Sequence, residues 1–123
     1  MRIINRINRF ILKLQIILES KARVARIGFG TKIMEKVTID KTSQIGKYTY
    51  IGSYTMITKS EIGNYCSIAS SVKIGQGEHD IKKVSTSSLF YHNKYEELTK
   101  GDCIIGNDVW IGANAIVLRG VTI

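Results

Sequence analysis

Residues 39–63 read IDKTSQIGKYTYIGSYTMITKSEIG, with isoleucine at 39, 45, 51 and 57 and again, one place early, at 62. Moving outward, the same step carries Ile27 and Ile33 before this stretch and Ile68 and Ile74 after it. Beyond a long interruption it returns at Ile105, Ile111, Val117 and Ile123. The residue after the aliphatic is often glycine, alanine or aspartate, as at Gly28, Asp40, Gly46, Gly52, Gly63, Ala69, Gly106 and Gly112. The fifth position of each hexad is small or β-branched: Thr31, Val37, Ser43, Thr49, Thr55, Cys66, Val72, Val109, Ala115 and Val121. A repeat of six fits neither the 3.6-residue helix nor plain strand alternation. It fits a short strand and a corner, with the aliphatic side chain inward and a small residue easing the bend. Three such sides close a coil of about 18 residues, and successive coils stack at the usual strand spacing. Each coil buries its rungs only against its neighbours, so stability is close to a sum of nearest-neighbour terms. A β-sandwich of short strands has no need of so strict a period.

The composition agrees with a single domain. Proline is absent, which suits stacked parallel strands in which each N–H is needed. Cys66 and Cys103 form no disulfide framework and read as packing thiols of a reducing compartment, which places the chain in the cytoplasm. The net charge of +8 is concentrated at the start: residues 1–26 hold seven basic side chains against Glu19 alone. The repeat itself is nearly neutral, so the chain divides into a basic segment, 1–26, and a β-helix domain, 27–123.

Residues 2–20 read as an amphipathic helix. Ile3, Ile4, Ile7, Phe10, Ile11, Leu14, Ile17 and Leu18 share one face, and Asn5, Arg6, Asn8, Arg9 and Lys13 the other. Charges throughout exclude a spanning helix, and a signal peptide lacks its apolar stretch and cleavage site. Two roles remain open: packing on the prism or a neighbouring subunit, and lying in the plane of an anionic membrane. Nucleic-acid binding lacks any motif.

The interruption, residues 76–104, contains both histidines, His79 and His92, with Phe90, Tyr91 and Tyr95. A stretch of this length without a repeat is usually functional or disordered. His79 lies where the chain leaves the rigid coil, the kind of place where chemistry is found. Tyr48, Tyr50, Tyr54 and Tyr65 occupy outward hexad positions, where covering exposed faces or a subunit contact is their plainest role. The chain stops at the first rung of a further hexad, which would leave an open apolar edge, and the expectation is a C-terminally truncated sequence.

These motifs together — IGNYCSIASSVKIGQGEH, then VSTSSLFY, then IGNDVWIGANAIVLRGVTI — resemble the hexapeptide-repeat acyltransferases, in the branch of xenobiotic and polysaccharide O-acetyltransferases. The resemblance implies a left-handed parallel β-helix, a homotrimer, and acetyl-CoA bound in a cleft between neighbouring prisms. It makes His79, at the start of the loop, the catalytic base. The family's usual proline after this histidine is Asp80 here, which would loosen the loop or give the imidazole a carboxylate neighbour. Imidazole titrates near neutrality and suits proton abstraction from an acceptor hydroxyl. By the same resemblance Trp110, Ala113 and Asn107 border the acetyl-CoA cleft, while a trimer contact is the alternative role for Trp110. The implied function is acetyl transfer to a hydroxyl of a sugar, polysaccharide or xenobiotic, without a metal. A zinc lyase on this fold needs three histidines and the chain has two. The remaining alternative is a non-catalytic scaffold or oligomerisation module.

Overall fold

The computed structural model describes Ile7 and residues 26–123. The amphipathic segment expected over 2–20 lies, Ile7 apart, outside the described residues. Within them the period becomes twelve two-residue strands: β1 (Arg26–Ile27), β2 (Lys32–Ile33), β3 (Thr38–Ile39), β4 (Gln44–Ile45), β5 (Tyr50–Ile51), β6 (Met56–Ile57), β7 (Glu61–Ile62), β8 (Ser67–Ile68), β9 (Lys73–Ile74), β10 (Ile104–Ile105), β11 (Trp110–Ile111) and β12 (Ile116–Val117). They form three parallel four-stranded sheets: a first face β1-β4-β7-β10, a second β2-β5-β8-β11 and a third β3-β6-β9-β12. The chain thus winds as a three-sided prism of stacked coils, consistent with a left-handed β-helix.

The aliphatic rungs pair only with one another. Ile27 faces Ile45, Ile45 faces Ile62, and Ile62 faces Ile105 up the first face, with equivalent columns on the other two. The central rungs from Ile45 to Val117 are buried, whereas Ile27, Ile33 and Ile123 at the two ends are exposed. The fifth-position residues form a second set of columns that link the coils through hydrogen bonds. Thr31 Oγ1 donates to Gly46 O (2.7 Å) and accepts from the Thr49 N–H (3.0 Å). Thr49 Oγ1 in turn donates to Gly63 O (2.9 Å) and accepts from the Cys66 N–H (3.1 Å). A small hydroxyl at this place therefore satisfies itself inside an apolar prism, and no buried side-chain polar atom among the described residues lacks a partner. Cys66 and Cys103 are free and buried.

Two features of the corners explain the residues between strands. Where the first face turns into the second, glycines of successive coils lie on one another. A Cβ on Gly46 would stand 2.5 Å from the carbonyl carbon of Gly63, and one on Gly63 would stand 2.4 Å from the carbonyl oxygen of Gly106. Close approach of backbone, not an unusual φ, demands glycine there. Two residues further on in the same corners a left-handed residue makes the bend, as at Tyr48 and Tyr65, and Tyr54 does the same between the second and third faces. Tyr48 stacks on Tyr65 at 5.3 Å and meets Phe29 edge-on, an exposed aromatic column beside that glycine corner.

The corner between the third and first faces is irregular. In the second coil it is one residue short, because the rungs run from Ile57 directly to Ile62. Asp40, one coil below, covers the deficit. Its Oδ1 accepts from the Ser43 N–H and Oγ–H (3.0 and 2.6 Å), and its Oδ2 accepts from the Lys59 N–H (3.0 Å). In regular corners a main-chain carbonyl of the coil below takes that N–H, as Lys47 O does for Tyr65. The long loop leaves from this same corner in the third coil.

Candidate functional site

The loop begins at Gly75, ends at Cys103, and is not structureless: it contains a 3₁₀ turn, Ser88–Phe90, and a short helix α1, Lys94–Leu98. Ile104, assigned to the loop by the period, belongs to β10. Asn93 caps α1 through its side chain, and the Glu78 N–H donates to Leu98 O (2.8 Å), tying the first loop residues to the end of the helix. Lys59–Glu96 (2.7 Å) and the Tyr95 hydroxyl on Asp40 Oδ2 (2.6 Å) bind α1 to the short corner beneath.

His79 is exposed and stands beside Tyr91, with ring centroids 5.8 Å apart in edge geometry. Tyr91, unlike the other loop aromatics, is buried. Its hydroxyl accepts from the Asp80 N–H (2.9 Å), and Lys83 Nζ lies 4.1 Å from the centre of its ring. Lys83 also pairs with Glu97 Oε2 (2.7 Å), while Glu97 Oε1 accepts from the N–H groups of His92 and Asn93 (2.8 and 3.0 Å). The Lys83 ammonium, followed by those backbone donors, holds the Glu97 carboxyl down at about 2. Glu78, His79, Asp80, Lys83, Tyr91 and Glu97 line much of a pocket of about 200 Å³. The arrangement holds an imidazole at the lip of a polar cavity over a rigid coil, a geometry suited to taking a proton from a bound hydroxyl.

Asp80 is engaged in its own turn. Its Oδ1 accepts from the Lys82 N–H (2.9 Å), so the carboxylate that replaces the family's proline braces the loop. His92, the other loop histidine, uses its backbone N–H on Glu97. The sequence reading named Tyr91, the last residue of VSTSSLFY, without a role for it, and Lys83 and Glu97 escaped it because no period or motif marks them. Their one signal is an aromatic and opposite charges inside a segment that the repeat excludes.

The residues expected at the acetyl-CoA cleft lie elsewhere on the prism. Trp110 projects from β11 on the second face and is 82% exposed. Ala113 is exposed just before the left-handed residue Asn114, at the corner between the second and third faces. Asn107 stands at the corner between the first and second faces, where its Oδ1 accepts from the Asn64 N–H (2.8 Å), as Asn64 Oδ1 does from the Lys47 N–H (2.7 Å). One copy of the chain does not bring these three together with His79, whose loop leaves the opposite corner of the triangle. No cluster of metal-ligating side chains occurs among the described residues.

No family model and no solved structure matches the chain. Among curated proteins it is similar to chloramphenicol acetyltransferase of Agrobacterium fabrum, 31% identical over 106 residues, covering 64% of this chain and 51% of the relative. A probable macrolide acetyltransferase of Lysinibacillus sphaericus is 34% identical over 85 residues, covering 60% and 44% respectively. The chain's homologues are hexapeptide-repeat acetyltransferases. Chloramphenicol acetyltransferase of Escherichia coli extends the similarity to 77% of this chain at 26% identity. This acetyltransferase homologue spans about half the length of the curated relatives it matches. Among its described residues no helix is long and apolar enough to cross a membrane.

Proposed function

We propose that the protein is an acetyl-CoA-dependent O-acetyltransferase with His79 as general base. The observation that carries this reading is the mounting of His79: exposed, against buried Tyr91, at the lip of a polar pocket on a rigid corner. An imidazole nitrogen removes the proton of an acceptor hydroxyl while its oxygen attacks the acetyl carbonyl carbon. The carbon–sulfur bond breaks, and the proton passes to the departing thiolate. Acetyl-CoA, as co-substrate, supplies the activated acetyl group. The acceptor is a sugar, a polysaccharide or a xenobiotic, the last in keeping with the names of the relatives.

Trp110, with its wide exposed ring, and Ala113, with its exposed backbone, are suited to flank the pantetheine arm. Asn107 holds the corner beneath them. Because these residues stand away from the His79 corner within one copy, the complete site forms between copies, in the homotrimer that the family resemblance implies. Free buried thiols fit a cytoplasmic enzyme. The sequence of 2–20, basic and amphipathic in its spacing, suits peripheral contact with anionic membrane.

The test is release of free CoA from acetyl-CoA in the presence of chloramphenicol, a macrolide and hydroxyl-bearing oligosaccharides. His79→Ala should lower turnover by about 10²- to 10⁴-fold at unchanged thermal stability. Equal turnover in the variant rejects His79 as base. No CoA release with any acceptor, from a folded oligomer, favours the scaffold reading.

A further inference from the structure

Arg119 belongs to the last described hexads, in Val117-Leu118-Arg119-Gly120-Val121. A surface arginine is unremarkable there, but this one is only 8% exposed and turns into the irregular corner. Its guanidinium donates to four main-chain carbonyls. Nε reaches Gly75 O (2.7 Å), and Nη1 reaches Lys59 O (2.8 Å) and Gly101 O (3.0 Å). Nη2 reaches Thr58 O and Gly75 O. A guanidinium has five N–H donors, and all five are used. A buried charge normally needs such complete pairing to be tolerated.

The four acceptors come from two places. Thr58 and Lys59 belong to the short corner of the second coil, and their carbonyls accept from the guanidinium. Gly75 and Gly101 stand at the two ends of the loop that carries His79. The space is fitted to the arginine. Gly75 has φ +62°, and a Cβ there would stand 2.3 Å from Ser60 Oγ and 2.4 Å from Arg119 Nη2. The short corner and the glycine thus frame one cradle, and what lies in it is a side chain from the coil above.

We infer that Arg119 is the positioning residue for the loop: it closes the loop's neck by binding both ends to each other and to the coil beneath, and so sets where His79 stands. His79 follows Gly75 by four positions, so freedom at Gly75 passes almost directly to the imidazole. Lysine, with three donors on one nitrogen, cannot span the same four acceptors. This role rests on the proposed use of His79 for its effect on turnover, but its effect on the loop is independent of that use.

The test is amide hydrogen exchange resolved along the chain, with acetyl transfer measured in parallel, on Arg119→Met and Arg119→Lys. Arg119→Met should speed exchange through residues 76–100 while Ile51 and Ile68 in the prism keep their protection. Arg119→Lys should fall between it and wild type. In the same order kcat should drop, by about 10- to 100-fold for methionine, with KM for acetyl-CoA unchanged. Exchange rising equally in loop and prism would make Arg119 a general stabiliser and overturn the inference. So would loop exchange equal to wild type in both variants. Should Arg119→Met not fold, Arg119→Lys decides: selective loosening of the loop supports the inference, and wild-type exchange overturns it. A wild-type protein without transferase activity but with loop exchange that responds to Arg119 would sink the enzymatic reading and leave the clamp standing.

Discussion

Asp40 shows how one side chain can stand in for backbone. Burial works to raise its pKa, but hydrogen bonds from Ser43, Tyr95, Lys59 and Thr42 outweigh that effect and hold it below the usual 3.8. Each of those donors favours the ionised form. A carboxyl whose folded value is depressed contributes stability that is complete above its unfolded value and lost as pH falls through the folded one. Asp40→Asn keeps the shape but replaces one accepting oxygen with a donor group, leaving a donor without its partner. Chemical denaturation at pH 7 should show a loss of about 1–3 kcal/mol. As pH falls below 3.8 and through the depressed folded value, the difference from wild type should shrink, since the wild-type carboxyl then becomes protonated too. The identity of Asp40 was visible in the sequence as a departure from glycine after a rung. Its task was not, because the short corner it completes lies a whole coil further along the chain.

The loop is an element held by side chains and not by repeat geometry. Its chief tie joins Lys83, Glu97 and the N–H groups of His92 and Asn93, and Glu97 titrates at about 2 instead of the usual 4.5. The tie is therefore complete above about pH 4.5 and loosens as pH falls toward 2. Amide signals of His92 and Asn93 should shift through that window, while in Glu97→Gln they should start displaced and stay flat. Such links show why the loop resisted reading. The prism announces itself because every hexad obeys one local constraint, an aliphatic inward and a tight corner, repeated until chance is excluded. Tyr91, Lys83 and Glu97 meet once, across spacings that recur nowhere else in the chain. His79 was legible only through its place at the loop's mouth and the family resemblance. Arg119 was hidden for a further reason: its partners lie as far as 61 residues back along the chain.

At the scale of the molecule, stability is distributed as in a stack. Ile68, fully buried in the third coil, touches rungs both above and below, whereas Ile33 in the first described coil is 38% exposed. Ile68→Ala should cost about 2–5 kcal/mol in denaturant unfolding, and Ile33→Ala less than half of that. A prism that spread strain evenly would give similar values for the two. The three corners of the triangle differ in the freedom they leave to the chain. Where the first face turns into the second, glycines are stacked backbone to backbone, and Gly63 has no room for a methyl group. The corner between the third and first faces has both lost a residue and taken in the whole span from Gly75 to Cys103. For protein engineering this marks a port. A peptide epitope, a second recognition loop or a small inserted domain grafted after Val84, exposed on the loop this corner carries, would enter where the scaffold already accepts irregular length. The same graft at Gly46 would pry two coils apart.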